Sequence, residues 1–194
     1  NYSISMWTGM GFKIKKIDTR FNFGPNFWFN RNADVFNNAV NYSRNYNLGF
    51  NMWVSKSKEK KYDFSISNNF TYSNSKNSLS NITNNYIVNT FSAYATVYLM
   101  KSLSVSSDYE LYAQQKTAQL PGLTRHFWNA RMQKTFKNDE FTFYFLVRDI
   151  LNQNVGLNRY FDRNTLSETR NDRLQRYWML GFTWNFKNAG AKAK

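Results

Sequence analysis

Few side chains in this sequence are of a type and spacing that could do chemistry. Asp108 and Glu110 lie two residues apart in an alternating stretch, so their carboxylates share one face of a strand, as an acid/base pair would. The competing reading, which we adopt, sets them in a solvated barrel interior, with Arg131 and Arg148 on polar faces as ion-pair neighbours. His126, the one histidine among 194 residues, stands between Arg125 and Phe127 at the boundary of a polar stretch. It reads as a polar anchor at an interface, not as a catalyst. With one histidine and no cysteine, a multi-histidine metal site, a thiolate site and a disulfide framework are excluded. Trp7, Trp28 and Trp53 fall on the polar side of the alternation. There they are either stacking platforms for a sugar or peptide or, the preferred reading, packing against a wall or plug. No residue is assigned to catalysis, to a cofactor or to a metal.

Composition narrows the class. Hydrophobic residues make up 42% and charged residues 20%, so the chain is not disordered by composition. Aromatics reach 19%, yet mean hydropathy is −0.67 because Asn and Ser fill much of the rest. Large rings interleaved with small polar groups suit a sheet with one apolar and one wet face, and suit helices badly. The net charge of +14 raises nucleic-acid binding. We set that aside, because the aromatics form an apolar stripe along every strand and not a local basic groove. No run approaches eighteen apolar residues, so no transmembrane helix is expected. No signal-peptide pattern follows Asn1, and an opening on Asn is read as a processed product or a fragment.

The elements that carry these residues alternate with period two. Stretches near 2–14, 20–30, 45–54, 62–73, 85–100, 103–111, 128–133, 141–148 and 177–186 read as about nine amphipathic strands, so the chain is all-β. Short links are expected at 15–18, 56–61, 100–102 and 137–140. Long polar links are expected at 31–44, 73–85, 114–125 and 150–173. Short and long links that alternate along an up-and-down sheet collect at opposite ends, the layout of a transmembrane β-barrel. Lys13, Lys15, Lys16, Lys56, Lys58, Lys60, Lys61, Lys101 and Lys137 cluster at the short-link end. Arg159, Arg163, Arg170, Arg173 and Arg176 cluster in or beside the last long link, and the middles of the apolar stripes carry almost no charge.

The ending carries a resemblance. Asp149-Ile150-Leu151-Asn152-Gln153-Asn154, a long link, and then Leu174-Gln175-Arg176-Tyr177-Trp178-Met179-Leu180-Gly181-Phe182-Thr183-Trp184-Asn185-Phe186 resemble the C-terminal part of the outer-membrane β-barrel family of Bacteroidota TonB-dependent-receptor-like proteins. Lys60-Lys61-Tyr62-Asp63-Phe64 and the Asn-rich stretch after Tyr72 are weaker matches. Gly181, Trp184 and Phe186 also resemble the closing-strand signal read by the barrel-assembly machinery, although Met179 replaces a polar residue there and eight residues follow Phe186. The resemblance implies an antiparallel up-and-down transmembrane barrel over 1–186, with 187–194 as a short periplasmic tail. It implies import of a large nutrient across the bacterial outer membrane, with a TonB-type energy transducer engaged through an unseen N-terminal region. Outer-membrane lipid and lipopolysaccharide are the implied surroundings, with a lipoprotein or other envelope subunit as a further partner and no nucleic acid. A non-transporting barrel subunit of a secretion or assembly complex is the alternative, and a soluble all-β carbohydrate-binding protein is the third reading.

Four structural expectations follow. Phe64, Ile66, Phe70, Leu180, Phe182 and Trp184 should share the lipid face, with Ser65, Ser67, Asn69, Gly181 and Thr183 opposite. Trp178, Tyr177 and His126 should lie at one interface, with Trp184 and Phe186 at the other. The loop at 152–172 either reaches outward to lipopolysaccharide phosphates through Arg159, Arg163 and Arg170, or pairs them internally with Asp162, Glu168 and Asp172. Nine up-and-down strands also place the first and last parallel, so 174–186 should pair with 141–149 and not with 2–14.

Overall fold

The computed structural model describes residues 1–79, 83–117, 121–137, 140–162 and 165–186. Its strands are β1 (Tyr2–Trp7), β2 (Met10–Ile14), β3 (Thr19–Phe36), β4 (Ala39–Lys58), β5 (Tyr62–Asn77), β6 (Thr83–Met100), β7 (Leu103–Gln114), β8 (Leu123–Phe136), β9 (Phe141–Arg148), β10 (Leu157–Asp162), β11 (Thr165–Arg170) and β12 (Tyr177–Trp184). One antiparallel sheet runs β1-β3-β4-β5-β6-β7-β8-β9-β12, with β2 beside β1 along β3; β10 and β11 form a separate hairpin.

Because β1 and β2 pair with successive stretches of β3, they are one interrupted strand. The sheet therefore has nine positions, as the alternation implies. The interruption falls at Thr8 and Gly9. Thr8 N–H donates to the Pro25 carbonyl at 3.2 Å, so the backbone of Pro25 faces this edge. Proline has no N–H to return, and the ladder breaks on the partner strand.

This sheet is a single layer without a core. Leu146 is the one buried hydrophobic residue among those described, and the surface is 13981 Å². A compact globule of 23.1 kDa would expose about 9,700 Å². The register keeps two faces separate across every strand. Phe64, Ile66 and Phe70 share a face with their partners Ala95, Ala93 and Asn89, and Leu180, Phe182 and Trp184 lie against Phe145, Phe143 and Phe141. Ser65, Ser67 and Asn69 point to the other face with Tyr94, Ser92 and Thr90, as Gly181 and Thr183 do with Tyr144 and Thr142. The apolar face is open, with Trp178 at 68% and Leu180 at 70% exposure.

One row of that face crosses seven strands: Met10, Phe23, Met52, Asn68, Phe91, Leu111 and His126. Met10 lies four residues before the end of β2 at Ile14, whereas His126 lies ten before the end of β8 at Phe136. That is six residues of stagger over six strand steps. One residue per step, at 3.3 Å rise and 4.8 Å spacing, corresponds to a strand tilt of about 35° when the short turns share a rim. Barrels need that shear.

Two expected long links turn out to be strand. The segment 31–44 is a hairpin extension closed by Asn37 and Asn38, both with positive φ (49° and 59°), as a two-residue type I′ turn requires. Likewise β5 continues to Asn77 and β6 begins at Thr83, inside the expected link at 73–85. Beyond the bilayer both faces of a hairpin are wet. Alternation then carries no penalty, and its loss in sequence looks like a loop. Links 114–125 and 150–173 do leave the sheet. Asn81 and Ile82, Arg163, and the tail 187–194 lie outside the described residues.

β12 pairs with β9 from Tyr177 opposite Arg148 to Trp184 opposite Phe141. It is not hydrogen-bonded to β1 or β2, so the described sheet ends on two edges. The short-turn rim is basic and aromatic: Lys56, Lys134 and Lys137 lie over the rings of Tyr62, Phe136 and Phe141. At the same rim Lys13 Nζ stands 2.5 Å from Asp18 Oδ1, and this hydrogen bond and charge hold the exposed Asp18 carboxyl below the usual range.

Two measurements check the faces and the direction of the strands. The 194 residues contain no cysteine, so single cysteines can be read one at a time. In membranes, spin labels at positions 64, 66, 70, 180 and 182 should be oxygen-accessible, and those at 65, 67, 69, 181 and 183 should meet a water-soluble relaxant. Correspondingly, Ala93→Arg should cost about 2–4 kcal/mol in folding into bilayers and Ser92→Arg close to nothing. Trp178 and Trp184 are six residues apart, about 16 Å in depth at that tilt. Brominated lipids should quench them at different depths.

Candidate interior cleft and the neighbouring hairpin

On the polar face, alternation sets small amides and hydroxyls beside occasional rings. Trp28 of β3, Asn47 of β4, Ser73 of β5 and Tyr86 of β6 form one register row. The next row holds Asn26, Gly49, Thr71, Val88 and Gln114. Residues of both rows, together with Tyr112 and Arg159, line a cleft of about 450 Å³. Five strands span about 19 Å.

The β10–β11 hairpin brings Arg159 to it. It begins at Gly156, whose φ of 64° and whose position suit glycine alone, since a Cβ would come within 1.9 Å of the Asn171 carbonyl oxygen. Asn171 N–H donates to the Gly156 carbonyl at 3.0 Å and closes the base. Arg159 is the anchor, with a side chain 6% exposed. Its Nε donates to Glu168 Oε2 at 2.7 Å, across the hairpin from it, and its Nη1 donates to the Pro121 carbonyl at 2.7 Å. From the wall, Arg125 Nη1 donates to the Leu157 carbonyl while its guanidinium lies over the rings of Tyr112 and Phe127. Of the two expectations for the last loop, Arg159 follows the internal one, paired with Glu168. Arg170 is exposed.

The family model described as outer membrane protein beta-barrel family matches residues 8–184. The chain belongs to that family. It is a bacterial outer-membrane β-barrel protein, and the soluble carbohydrate-binding reading is set aside. No curated protein and no solved structure matches the chain.

In this barrel wall the stretch 149–154 is a structural knot. Asp149 is buried, with φ of 51°. Its carboxylate accepts the backbone N–H groups of Gln153 and Asn154, each at 2.9 Å, while its own N–H donates to Asn129 Oδ1. Asn152 Oδ1 accepts the Arg176 N–H at 3.0 Å, and Gln153 Oε1 accepts the His126 N–H at 3.1 Å. One six-residue turn therefore ties β8 to the start of the closing strand and launches the loop that carries the hairpin. Its side chains work on backbone, not on substrate.

The other singled-out residues are distributed along the barrel wall. Asp108 and Glu110 both stand on the polar face, opposite Tyr94 and Ser92, and Asn129 Nδ2 donates to Asp108. Arg131 lies on the same face with its guanidinium carbon 4.3 Å from the Tyr144 ring, and that ring covers Gly181, where a Cβ would come within 2.0 Å of it. Arg148 stands opposite Tyr177. His126 is on the apolar face, its Nδ1 2.6 Å from the Tyr109 hydroxyl, and Trp128 Nε1 beside it donates to Ser107 Oγ at 2.8 Å. These polar groups on that face pair with each other, as lipid demands, whereas Asn89 Oδ1 on the same face has no hydrogen-bond partner among the described residues. Trp28 is the one of the three tryptophans that lines the cleft; Trp7 stands at the β1 edge and Trp53 opposite Ser67. Asn47, Tyr86 and Tyr112 were not singled out in the sequence, where their signal is only that they alternate onto the polar face near the long-link end; Arg159 was, with its outward and inward partners both left open.

Asp149→Ala leaves two N–H groups without their acceptor and should cost about 1–3 kcal/mol in reversible folding of the full-length protein into liposomes. Asp149→Asn, which keeps an acceptor, should cost less.

Proposed function

We propose that this chain is barrel wall of a TonB-dependent-receptor-like importer of the Bacteroidota type, passing a large nutrient across the outer membrane without catalysing a reaction on it. The observation that carries the reading is the cleft on the polar wall, lined in part by Arg159 from the hairpin of the last long loop. A barrel that merely scaffolds has no use for such a cleft, whereas an importer needs a site that captures ligand.

Closure belongs to the same proposal. The sheet ends on β12 and on β1 with β2, and in lipid every unpaired backbone group costs several kcal/mol. Eight antiparallel steps between nine strand positions leave the two edges running the same way, so each edge pairs with a strand beyond these residues. The energy transducer acts through a region outside the described sheet, and outer-membrane lipid and lipopolysaccharide surround the apolar face. The free edges are also what a scaffolding subunit of a secretion or assembly complex would use to hold another chain.

Cross-linking in intact cells followed by purification of the full-length protein separates the two. Import predicts an adduct with the TonB-type transducer that depends on the membrane potential. Recovery of secretion or assembly components, with no transducer adduct at any potential, would assign the scaffold role and refute import.

A further inference from the structure

We propose that a cross-strand row of three cations, Arg31 of β3, Arg44 of β4 and Lys76 of β5, binds the phosphates of lipopolysaccharide on the outside of the barrel. This goes beyond the import reading and does not depend on it.

The register sets Arg31 directly opposite Arg44, and Arg44 directly opposite Lys76. Alternation puts all three on the apolar, outward face. Arg31 continues the series Phe27 and Phe29, Arg44 the series Leu48 and Tyr46, and Lys76 the series Phe70, Tyr72 and Asn74. Like charges directly opposite one another on neighbouring strands repel. Two such pairs adjoin here, and no Asp or Glu occupies an outward position of β3, β4, β5 or β6 to offset them. None of the three is in an ion pair among the described residues. Arg44 and Lys76 are exposed. The Arg31 guanidinium carbon lies 4.9 Å from the centre of the Tyr42 ring, a stacking that orients its fork and leaves its N–H donors open. The counter-charge of this row therefore lies outside the protein.

Depth says what supplies it. On β4, Lys56 and Arg44 both point outward and are twelve residues apart, about 32 Å in depth at the tilt of this sheet. Between them the outward positions hold Val54, Met52, Phe50, Leu48 and Tyr46. The hydrocarbon core of a bilayer is about 30 Å thick, so the two cations stand at opposite headgroup levels. Bacterial barrels keep short turns in the periplasm and longer loops outside. Arg44 lies at the end away from the short turns, and so at the outer leaflet, where lipopolysaccharide is.

The chemistry fits that lipid. Three cations on neighbouring strands span about 10 Å, and a guanidinium fork takes a phosphate through two hydrogen bonds. The next row toward the bilayer holds Phe29, Tyr46, Asn74 and Asn85, with Asn74 Nδ2 donating to Asn85 Oδ1. Rings and amides thus stand where the headgroup sugars meet the acyl chains. The other rim differs. Lys56, Lys58 and Lys134 also point outward there, but they stand opposite Phe64, Tyr62 and Phe143 and form no row of cations. Only one end of this face concentrates positive charge, as only one leaflet carries lipopolysaccharide.

The test titrates the full-length protein, in micelles free of lipopolysaccharide, with phosphorylated lipid A, dephosphorylated lipid A, phosphatidylglycerol and polyglutamate, and reads affinity by native mass spectrometry. Phosphorylated lipid A should bind, and loss of its phosphates or Arg44→Gln should each weaken binding about tenfold or more. Arg44→Lys, which keeps the charge and loses the fork, should fall between Arg44→Gln and the parent. Lys56→Gln, at the other rim, should stay within about twofold of the parent. Without lipid A, Arg44→Gln should unfold on heating no earlier than the parent, since it relieves repulsion from Arg31 and Lys76; a merely structural arginine would give earlier unfolding. Lys76→Gln serves as a second variant and should weaken binding in the same direction. Equal affinity for dephosphorylated lipid A, full affinity in Arg44→Gln, an equal loss in Lys56→Gln, or earlier unfolding of Arg44→Gln without ligand would overturn the proposal. Tighter binding of phosphatidylglycerol or of polyglutamate would overturn it as well, assigning the row to a phospholipid or to an acidic protein.

Discussion

The constraint on which the rest depends is that a sheet in hydrocarbon must satisfy every backbone N–H and C=O from within, with no water to help. Stability here comes from long ladders rather than from a core: β3 and β4 alone pair from Arg20 opposite Ser55 to Phe36 opposite Ala39. One buried hydrophobic residue among those described suffices because the solvent of the apolar face is lipid. The stagger of about one residue per strand belongs to the same constraint, since only a sheared sheet can curl toward closure.

Where a residue cannot obey the ladder, the neighbourhood compensates. At Pro25 the partner strand breaks at Thr8 and Gly9. At the exit of β9 the Asp149 carboxylate replaces the missing ladder partners of Gln153 and Asn154. On the apolar face Tyr109 with His126, and Trp128 with Ser107, turn four polar side chains into two pairs. The stretch that resembled a family signature thus has a physical role: it secures the last crossing strand and frees a long loop immediately after.

That loop links architecture to function. Gly156 turns the chain back and Arg159 fastens it, while Arg125 on the wall reaches the base of the hairpin at Leu157. The hairpin is fastened by a few charge-assisted hydrogen bonds and by no wall-strand ladder, because β10 and β11 pair only with each other. The cleft is built from strands that are paired on both sides, so side chains line it and not free backbone.

Much of this was legible in the residues themselves. Period-two alternation determined the nine strand positions and the two faces, since a slip of one residue would have put Phe64 or Phe182 on the wet side. Lysines beside short links marked one rim, and Asp149 to Asn154 marked the last loop. The hairpins at 31–44 and 73–85 were not legible, because strands that leave the bilayer lose the pressure that makes them alternate. Nor was the fate of Arg159: its outward and inward partners are chemically equivalent, and only the path of the loop from Gly156 brings Glu168 and Pro121 to it. The cleft, too, is a tertiary object. Trp28 and Tyr86 are 58 positions apart in the chain, and only the register of three ladders sets them in one row. Local pattern governs which face a side chain takes; which distant side chains meet is decided by register, shear and the route of a single loop.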